Sequence, residues 1–358
     1  MEATESPTEG LVNLRWILFV RANVRHLGNT FRNIYVGWVN EKLLSGPARL
    51  RSFFRVVPLR LRDDNPAVLG RDEANGFISD RITAQIPTVI GRFSSGELNS
   101  VLHHIRFSRW SIFRKMLWTI LTLRIVRWDA RNYSNLLTPL GYFPEINSET
   151  MRQFSAILHM ASQSIDLLGS WVPGENHIMR NARSVPVTEL AFLEPFGAIS
   201  PWTKALKGKR VLVVHPFSDS IKSQYLKRTL LFADPGFLPE FELDVIPPPW
   251  GALASNRSGG MGESDWFQSL ELLKADVSSR DFDVAIIGAG AYGIPLAAHV
   301  KAMGNVAIVL GGSTQLLFGI RGRRWDGSGI VSPNAHWISP AKSETPAPAD
   351  QTEKGAYW

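Results

Sequence analysis

The feature that most constrains this fold is the stretch from Phe282 to Gly312, FDVAIIGAGAYGIPLAAHVKAMGNVAIVLGG. A short apolar run, Asp283–Ile287, enters a turn with glycines at positions 288, 290 and 293. Residues 294–303 then favour a helix, and Val306–Leu310 is a second apolar run. Apolar runs of strand length on either side of a helix are typical of parallel strands that are buried on both faces. The stretch therefore predicts a strand, a glycine turn, a helix and a second strand.

The same alternation of strand-like and helix-like segments occurs earlier in the chain. Thr88–Gly91 predicts a strand before a turn and a helix, and KRVLVVHPF (209–217) predicts another before a helical segment. EFELDVIPPPW (240–250) predicts a strand that ends at its prolines. Thr150–Trp171 has apolar residues near a 3.6-residue period and predicts one helix. The chain is thus expected to be an α/β protein with a mainly parallel, Rossmann-like sheet flanked by helices.

Composition divides the 358 residues into four regions. Residues 1–10 and 339–358 are rich in Pro, Ala, Thr, Ser and charge, which predicts disordered tails. Residues 11–64 predict a basic amphipathic helical segment, and residues 65–338 predict the α/β domain. With 44% hydrophobic and 20% charged residues, the chain has enough apolar side chains to build a large core.

The basic segment and the net charge of +7 favour anionic partners. Ten Lys and Arg residues between 11 and 62 face one acidic residue, Glu41, with aromatic residues between them. This pattern suits a helix on an anionic membrane surface, and it equally suits a helical pair packed on the body with its basic face in solvent.

No nucleic-acid recognition motif accompanies the charge, so no nucleic-acid partner is expected. The apolar runs are too short to span a membrane, and the acidic start is unlike a signal peptide. We expect a cytoplasmic protein, in peripheral contact with the inner face of the membrane under the first interpretation.

The spacing of Gly288, Gly290 and Gly293 matches the G-x-G-x-x-G of dinucleotide-binding folds. NAD recognition also uses an acidic residue at the end of the following strand, where this chain has Gly311–Thr314. Three interpretations stay open: the turn contacts a ligand outside NAD chemistry, its glycines serve close packing, or it holds NAD or another adenosyl cofactor.

Polar residues follow three other predicted strands. In GRFSSGEL, Arg92 is suited to clamp a diphosphate and Glu97 is suited to act as a base. The alternative is an Arg92–Glu97 pair that closes the turn. His215 ends the strand in KRVLVVHPF and is either a base or a structural hydrogen-bond partner. After the last strand, Gln315 and Arg324 lie close to the same edge, with solvent-facing arginines as the alternative. The chain has no cysteine and lacks the motifs of serine hydrolases, zinc proteases and P-loop ATPases.

GRFSSGEL resembles the R-F-G-D-G-E turn of bacterial glycosyltransferases of the GT-D fold. Two later segments, LKGKRVLVVHPFSDSIKSQY and DVAIIGAGAYGIPLAAHVKAMGNVAIVLGGSTQLLFGIRGRRW, are similar to polysaccharide-associated members, so the resemblance covers roughly Thr83 to Trp325. It implies a nucleotide-sugar donor, a glycan acceptor and a divalent cation, Mn²⁺ or Mg²⁺, bound with the help of a D-x-E pair. Arg92 and Glu97 match that turn, but Ser95 stands at the aspartate position. A hydroxyl is a poorer ligand for these cations than a carboxylate.

The sequence thus predicts a glycosyltransferase that moves a sugar from a nucleotide-sugar donor to a glycan or polysaccharide acceptor. The expected catalytic residues are Glu97 and His215, with Glu97 also the single matching metal ligand. The donor is expected to contact Arg92, Ser95, Gly288, Gly290, Gly293, Gln315 and Arg324. The alternatives are an NAD-type oxidoreductase and a non-catalytic scaffold protein of glycan assembly.

Overall fold

The structure is a computed structural model, and it describes residues 60, 67–108, 137, 140, 142, 146–179, 184–249, 265–345 and 355–358. Eight strands in these residues form one sheet, ordered β1-β4-β3-β2-β8-β7-β5-β6. They are β1 (Val68–Leu69), β2 (Thr88–Gly91), β3 (Ile165–Ser170), β4 (Val187–Glu189), β5 (Arg210–Val214), β6 (Glu242–Ile246), β7 (Val284–Ile287) and β8 (Val306–Val309). Every neighbouring pair is parallel, which confirms the predicted α/β class.

Helices cover both faces of the sheet. They are α1 (Arg71–Ala84), α2 (Ser95–Ser108), α3 (Ser148–Ser162), α4 (Ser218–Tyr225), α5 (Trp266–Ser278) and α6 (Gly293–Ala302). Four of them, α2, α3, α5 and α6, pack into the core on one face, while α1 and α4 pack into the core on the other. Successive strand residues point to opposite faces, so Val89 belongs to the first core and Ile90 to the second. Burial on both faces explains why the central strands are apolar throughout.

The prediction of a single helix over Thr150–Trp171 is wrong for the second half of this segment. Asn147 caps α3 by accepting from the backbone N–H groups of residues 149 and 150, and the helix ends at Ser162. Ile165–Ser170 is instead strand β3, which pairs with β2 on one side and β4 on the other. An apolar segment that is buried on both faces does not alternate, so its pattern does not separate a strand from a helix.

The segments that follow the adjacent strands β2 and β8 leave toward opposite faces of the sheet. After β2, helix α2 packs Leu98 and Val101 into the first core. After β8, a 3₁₀ helix over Gly311–Phe318 packs its last three residues into the second core. Open α/β sheets bind ligands at the carboxyl ends of adjacent strands whose following segments diverge in this way, and we refer to this place in the sheet as the crevice between β2 and β8.

The described residues of the predicted C-terminal tail are ordered against the body, so the prediction of disorder is wrong for them. Glu344 is buried and accepts from the backbone N–H of Asp219, at 2.7 Å, and of Ser220, at 3.3 Å, at the N-terminus of α4. The ring of Trp358 packs edge-on against Phe217, with 5.8 Å between centroids. The Glu344 carboxylate and two aromatic side chains, Tyr357 and Trp358, anchor a segment whose overall composition is polar.

The predicted N-terminal tail and basic segment, 1–10 and 11–64, lie outside the described residues apart from Arg60. Arg60 donates its backbone N–H to the Ser170 hydroxyl at 3.0 Å. Of the helices in the described part of the chain, none combines the length and the apolar character needed to cross a membrane.

Replacing Glu344 with alanine is expected to destabilise the fold by about 1–3 kcal/mol, because the N–H groups of Asp219 and Ser220 lose their buried acceptor. Urea denaturation measures the change in the free energy of unfolding. Lys342→Ala is the matched control, since that side chain is exposed on the same turn. Equal stability of the two variants would show that residues 342–344 do not anchor α4.

Candidate functional site

Arg92 packs against Gly311 at the crevice between β2 and β8. Ile90 of β2 is in register with Ile308 of β8, so the residues that follow the two strands meet at the same edge. Gly311 has φ +64°, and a Cβ at this position would lie 1.7 Å from Nη2 of Arg92. The guanidinium therefore lies directly on the glycine backbone, and no side chain fits at position 311.

Gly288 continues this edge from β8 to β7 and β5. A Cβ at Gly288 would lie 2.5 Å from the His215 ring, 2.7 Å from the Gly311 carbonyl oxygen and 2.9 Å from the Thr314 hydroxyl. The segments that follow β2, β8, β7 and β5 thus contact one another in this order along the carboxyl edge of the sheet. Arg92, Gly288 and His215, which the sequence places at separate strand ends, belong to this one edge of the sheet.

His215 is a buried and neutral side chain. Its relative exposure is 2%, and its Nδ1 accepts from the backbone N–H of Phe217 at 3.1 Å. Burial lowers the pKa of the imidazole to about 3, so the ring is uncharged near neutral pH. This environment matches the structural interpretation of His215 better than the catalytic one.

Glu97 and Ser94 form a capping box at the start of α2. The Ser94 backbone N–H donates to the Glu97 carboxylate at 3.3 Å, and the Glu97 N–H donates to the Ser94 hydroxyl at 3.2 Å. The Glu97 side chain is 4% exposed, and burial raises its pKa to about 7 against the opposing effects of Ser94 and Arg92. Glu97 thus fixes the turn that carries Arg92.

This turn does not fit the divalent cation implied by the sequence resemblance. One Glu97 oxygen is taken by the Ser94 N–H, and Ser95 offers an exposed, neutral hydroxyl. Over the described part of the chain, no group of three or more His, Asp or Glu side chains is placed to hold a metal ion. Hard cations prefer several charged oxygen ligands, which these residues do not supply.

The glycine turn is packed closely by protein atoms. Gly290 has φ +53°, and a Cβ there would lie 2.3 Å from the Leu140 carbonyl oxygen. At Gly293, the first residue of α6, a Cβ would lie 3.1 Å from Val309. Together with the contacts of Gly288, these distances favour the interpretation in which the glycines serve close packing, and they leave little room for a pyrophosphate.

The two predicted donor contacts after β8 are engaged within the protein. Gln315 is fully buried, and its amide nitrogen donates to the carbonyl oxygens of Arg321 and Tyr357 at 2.8 and 3.2 Å. Arg324 donates to the Tyr357 hydroxyl at 3.1 Å. The Tyr357 ring covers Gly312, where a Cβ would lie 2.1 Å from it. Residues 355–358 therefore cover this end of the edge, and Gln315 is closed to a ligand.

Sequence reasoning missed a carboxyl group, that of Glu194, within electrostatic reach of Arg92. Glu194 lies after β4, beside the Ser313 hydroxyl and within electrostatic reach of Arg92, Arg71 and Arg324. Burial raises its pKa, while Ser313 and the three arginines lower it. Strand β4 has three residues, too few for a periodic pattern, so no sequence signal shows that Glu194 follows a strand of the sheet.

Comparison with known proteins gives two similar structures. No protein-family model matches the chain, and no curated protein matches its sequence significantly. One solved structure, described as "The highly conserved domain of unknown function 1792 has a distinct glycosyltransferase fold", is 14% identical with a TM-score of 0.40. Another, "Selenomethionine substituted structure of domain of unknown function 1792 (DUF1792)", is 15% identical with a TM-score of 0.34. Each match covers 82% of this chain and 96% of the other. Both TM-scores are below 0.5, so these similarities carry no argument about the family or the activity of this chain.

Gly290→Ala is expected to destabilise the fold more than Gly304→Ala. Both glycines have positive φ, but a Cβ at Gly304 meets no atom within 4 Å. Backbone strain alone costs about 1–2 kcal/mol, and the clash with Leu140 adds about 1–3 kcal/mol. Urea denaturation of both variants gives the difference. Equal losses of stability would contradict a packing role for Gly290.

Glu97→Gln is expected to flatten the pH dependence of stability. The pKa of Glu97 rises from 4.5 to about 7 on folding, so the free energy of unfolding falls as pH rises through this window. Glutamine keeps the capping acceptor without titrating, and the stability difference between variant and wild type should change by about 3 kcal/mol from pH 4 to pH 8. Glu73→Gln, in the exposed capping box of α1, is the matched control. Parallel stability curves for Glu97→Gln and wild type would contradict the burial effect.

Proposed function

We propose that the protein is a glycosyltransferase that moves a sugar from a nucleotide-sugar donor to a glycan acceptor. The observation that carries the proposal is the Arg92 guanidinium lying on Gly311 at the crevice between β2 and β8. The resemblance of GRFSSGEL to a glycosyltransferase turn supports the reaction class, and the position of Arg92 supports binding of the donor diphosphate there.

The charge around this crevice is suited to a diphosphate. Arg71, Arg92 and Arg324 each lower the pKa of the Glu194 carboxyl, so three cations lie within electrostatic reach of one acidic group. The planar fork of a guanidinium binds phosphate oxygens in pairs. Arg71 and Arg92 are partly buried, and partial burial strengthens these interactions relative to those at a fully exposed surface.

Sugar transfer creates negative charge on the leaving nucleoside diphosphate. In this proposal Arg92 stabilises that charge as it develops, and the capping box of Glu97 holds Arg92 in place. Because Ser95 and Glu97 do not form a cation site, the arginines neutralise the diphosphate. Transfer is therefore expected to continue in the presence of EDTA.

Arg92→Gln is expected to weaken nucleotide-sugar binding about 10–150-fold, the loss that corresponds to a charged hydrogen bond of about 1.5–3 kcal/mol. Arg92→Lys keeps the charge but loses the fork, and should fall between this variant and wild type. Thermal shift with UDP-glucose, UDP-galactose and GDP-mannose measures binding, since a ligand of the folded state raises Tm. Release of nucleoside diphosphate measures turnover.

Arg152→Gln is the control for loss of a positive charge, because the Arg152 side chain is 65% exposed and pairs with Glu149 on α3. It should bind donors like the wild type. A rise in Tm with NADH and none with any nucleotide sugar would favour the oxidoreductase and contradict the proposal. Donor binding without turnover of any donor would favour the scaffold protein.

A further inference from the structure

A cavity of about 300 Å³ is lined by Arg71, Glu194, Phe196, Gly197 and residues 328–330. Its volume is at the lower end of the range for ligand pockets, about 300–1,000 Å³. Small-molecule sites combine apolar residues with a few convergent polar groups, and here Phe196 and Ile330 lie with the acidic Glu194, the basic Arg71 and Ser328.

The segment that carries Glu194 is held on both sides. Arg71 donates to the Phe196 carbonyl at 2.5 Å, and its guanidinium lies 4.5 Å from the centre of the Phe192 ring. Trp202 donates its indole N–H to the Leu193 carbonyl at 2.9 Å. These anchors immediately precede and follow Glu194, so its carboxyl is positioned before any ligand binds.

Glu194 connects this cavity to the crevice. Glu194 lines the cavity together with Arg71, and its carboxyl is beside Ser313, two residues after Gly311. Arg92, which lies on Gly311, acts on the same carboxyl. A group bound in the cavity would therefore be adjacent to a diphosphate bound at Arg92.

We propose that Glu194 is the catalytic base of the transfer and that this cavity holds the acceptor sugar, an inference that rests on the proposed glycosyltransferase function. The acceptor oxygen forms a bond to the anomeric carbon, and its hydroxyl proton passes to a carboxylate oxygen of Glu194. The bond from the anomeric carbon to the diphosphate oxygen breaks, and its electron pair leaves with the nucleoside diphosphate. Arg92 stabilises this leaving group.

The surroundings of the two carboxyl groups distinguish Glu194 from Glu97. Glu97 is 4% exposed and its carboxylate accepts from the Ser94 N–H, whereas Glu194 lines a cavity. The charged groups that act on Glu194 are Arg71 of α1, Arg92 after β2 and Arg324 after β8. Burial raises the pKa of Glu194 toward the working range of a base, and the arginines keep the charged form accessible. Since the base must be deprotonated, kcat should rise with pH through this pKa.

The test compares wild type, Glu194→Gln and Glu194→Ala with whichever of UDP-glucose, UDP-galactose and GDP-mannose raises Tm most, using p-nitrophenyl glycosides as acceptors. Glu194→Gln should lower kcat about 10²–10⁴-fold and remove the pH dependence of kcat. The donor-induced rise in Tm should persist in both variants. Added formate should restore part of the activity of Glu194→Ala, because a free carboxylate can occupy the space of the lost side chain.

Glu240→Gln is the control, since the Glu240 side chain is 82% exposed in a surface ion pair with Arg228. Turnover by Glu194→Gln within about threefold of wild type would overturn the base assignment and leave the proposed function intact. The base assignment would also be overturned if the Glu194 variants lost donor binding as well as turnover and formate did not restore the activity of Glu194→Ala. Glu194 would then contribute to donor binding or to the stability of the fold. A wild type that neither binds nor turns over any nucleotide sugar would remove both proposals.

Discussion

The contact between Arg92 and Gly311 is the interaction on which the site depends. It requires two adjacent parallel strands, a glycine with positive φ after one of them and an arginine after the other. Any side chain at position 311 would displace the guanidinium, since a Cβ there would overlap it. The sheet and its register thus place a cation against the backbone of Gly311, at the point where the chain leaves β2 and β8 toward opposite faces.

Other parts of the molecule hold this arrangement in place. The capping box of Glu97 fixes the turn after β2, and Gly288 brings the segment after β7 against the Gly311 carbonyl. Residues 355–358 cover Gly312 on one side. Glu194, which follows β4 and is within electrostatic reach of Arg92, lines a cavity together with Arg71 of α1. In the proposed site, the space for the acceptor therefore lies on the side of α1 and β4.

The sequence was sufficient to predict the α/β class, because the strands β2, β5, β7 and β8 are apolar runs bounded by glycine, proline or polar turns. It did not reveal β1, β3 or β4. Two of these are two or three residues long, and the third is buried on both faces and has no alternation. Glu194 was missed for the same reason, since its position at the edge depends on β4. The roles of Gly290 and Gln315 depend on Leu140 and Tyr357, partners that lie far away in the chain and that local motifs do not predict.

The most direct test is a crystal structure of the protein with bound UDP or GDP. The diphosphate is expected in contact with the Arg92 guanidinium, beside the backbone of Gly311, with the open cavity of Glu194 adjacent to its terminal phosphate. A diphosphate bound at the Gly288–Gly293 turn, or bound nowhere in the crevice between β2 and β8, would contradict this account.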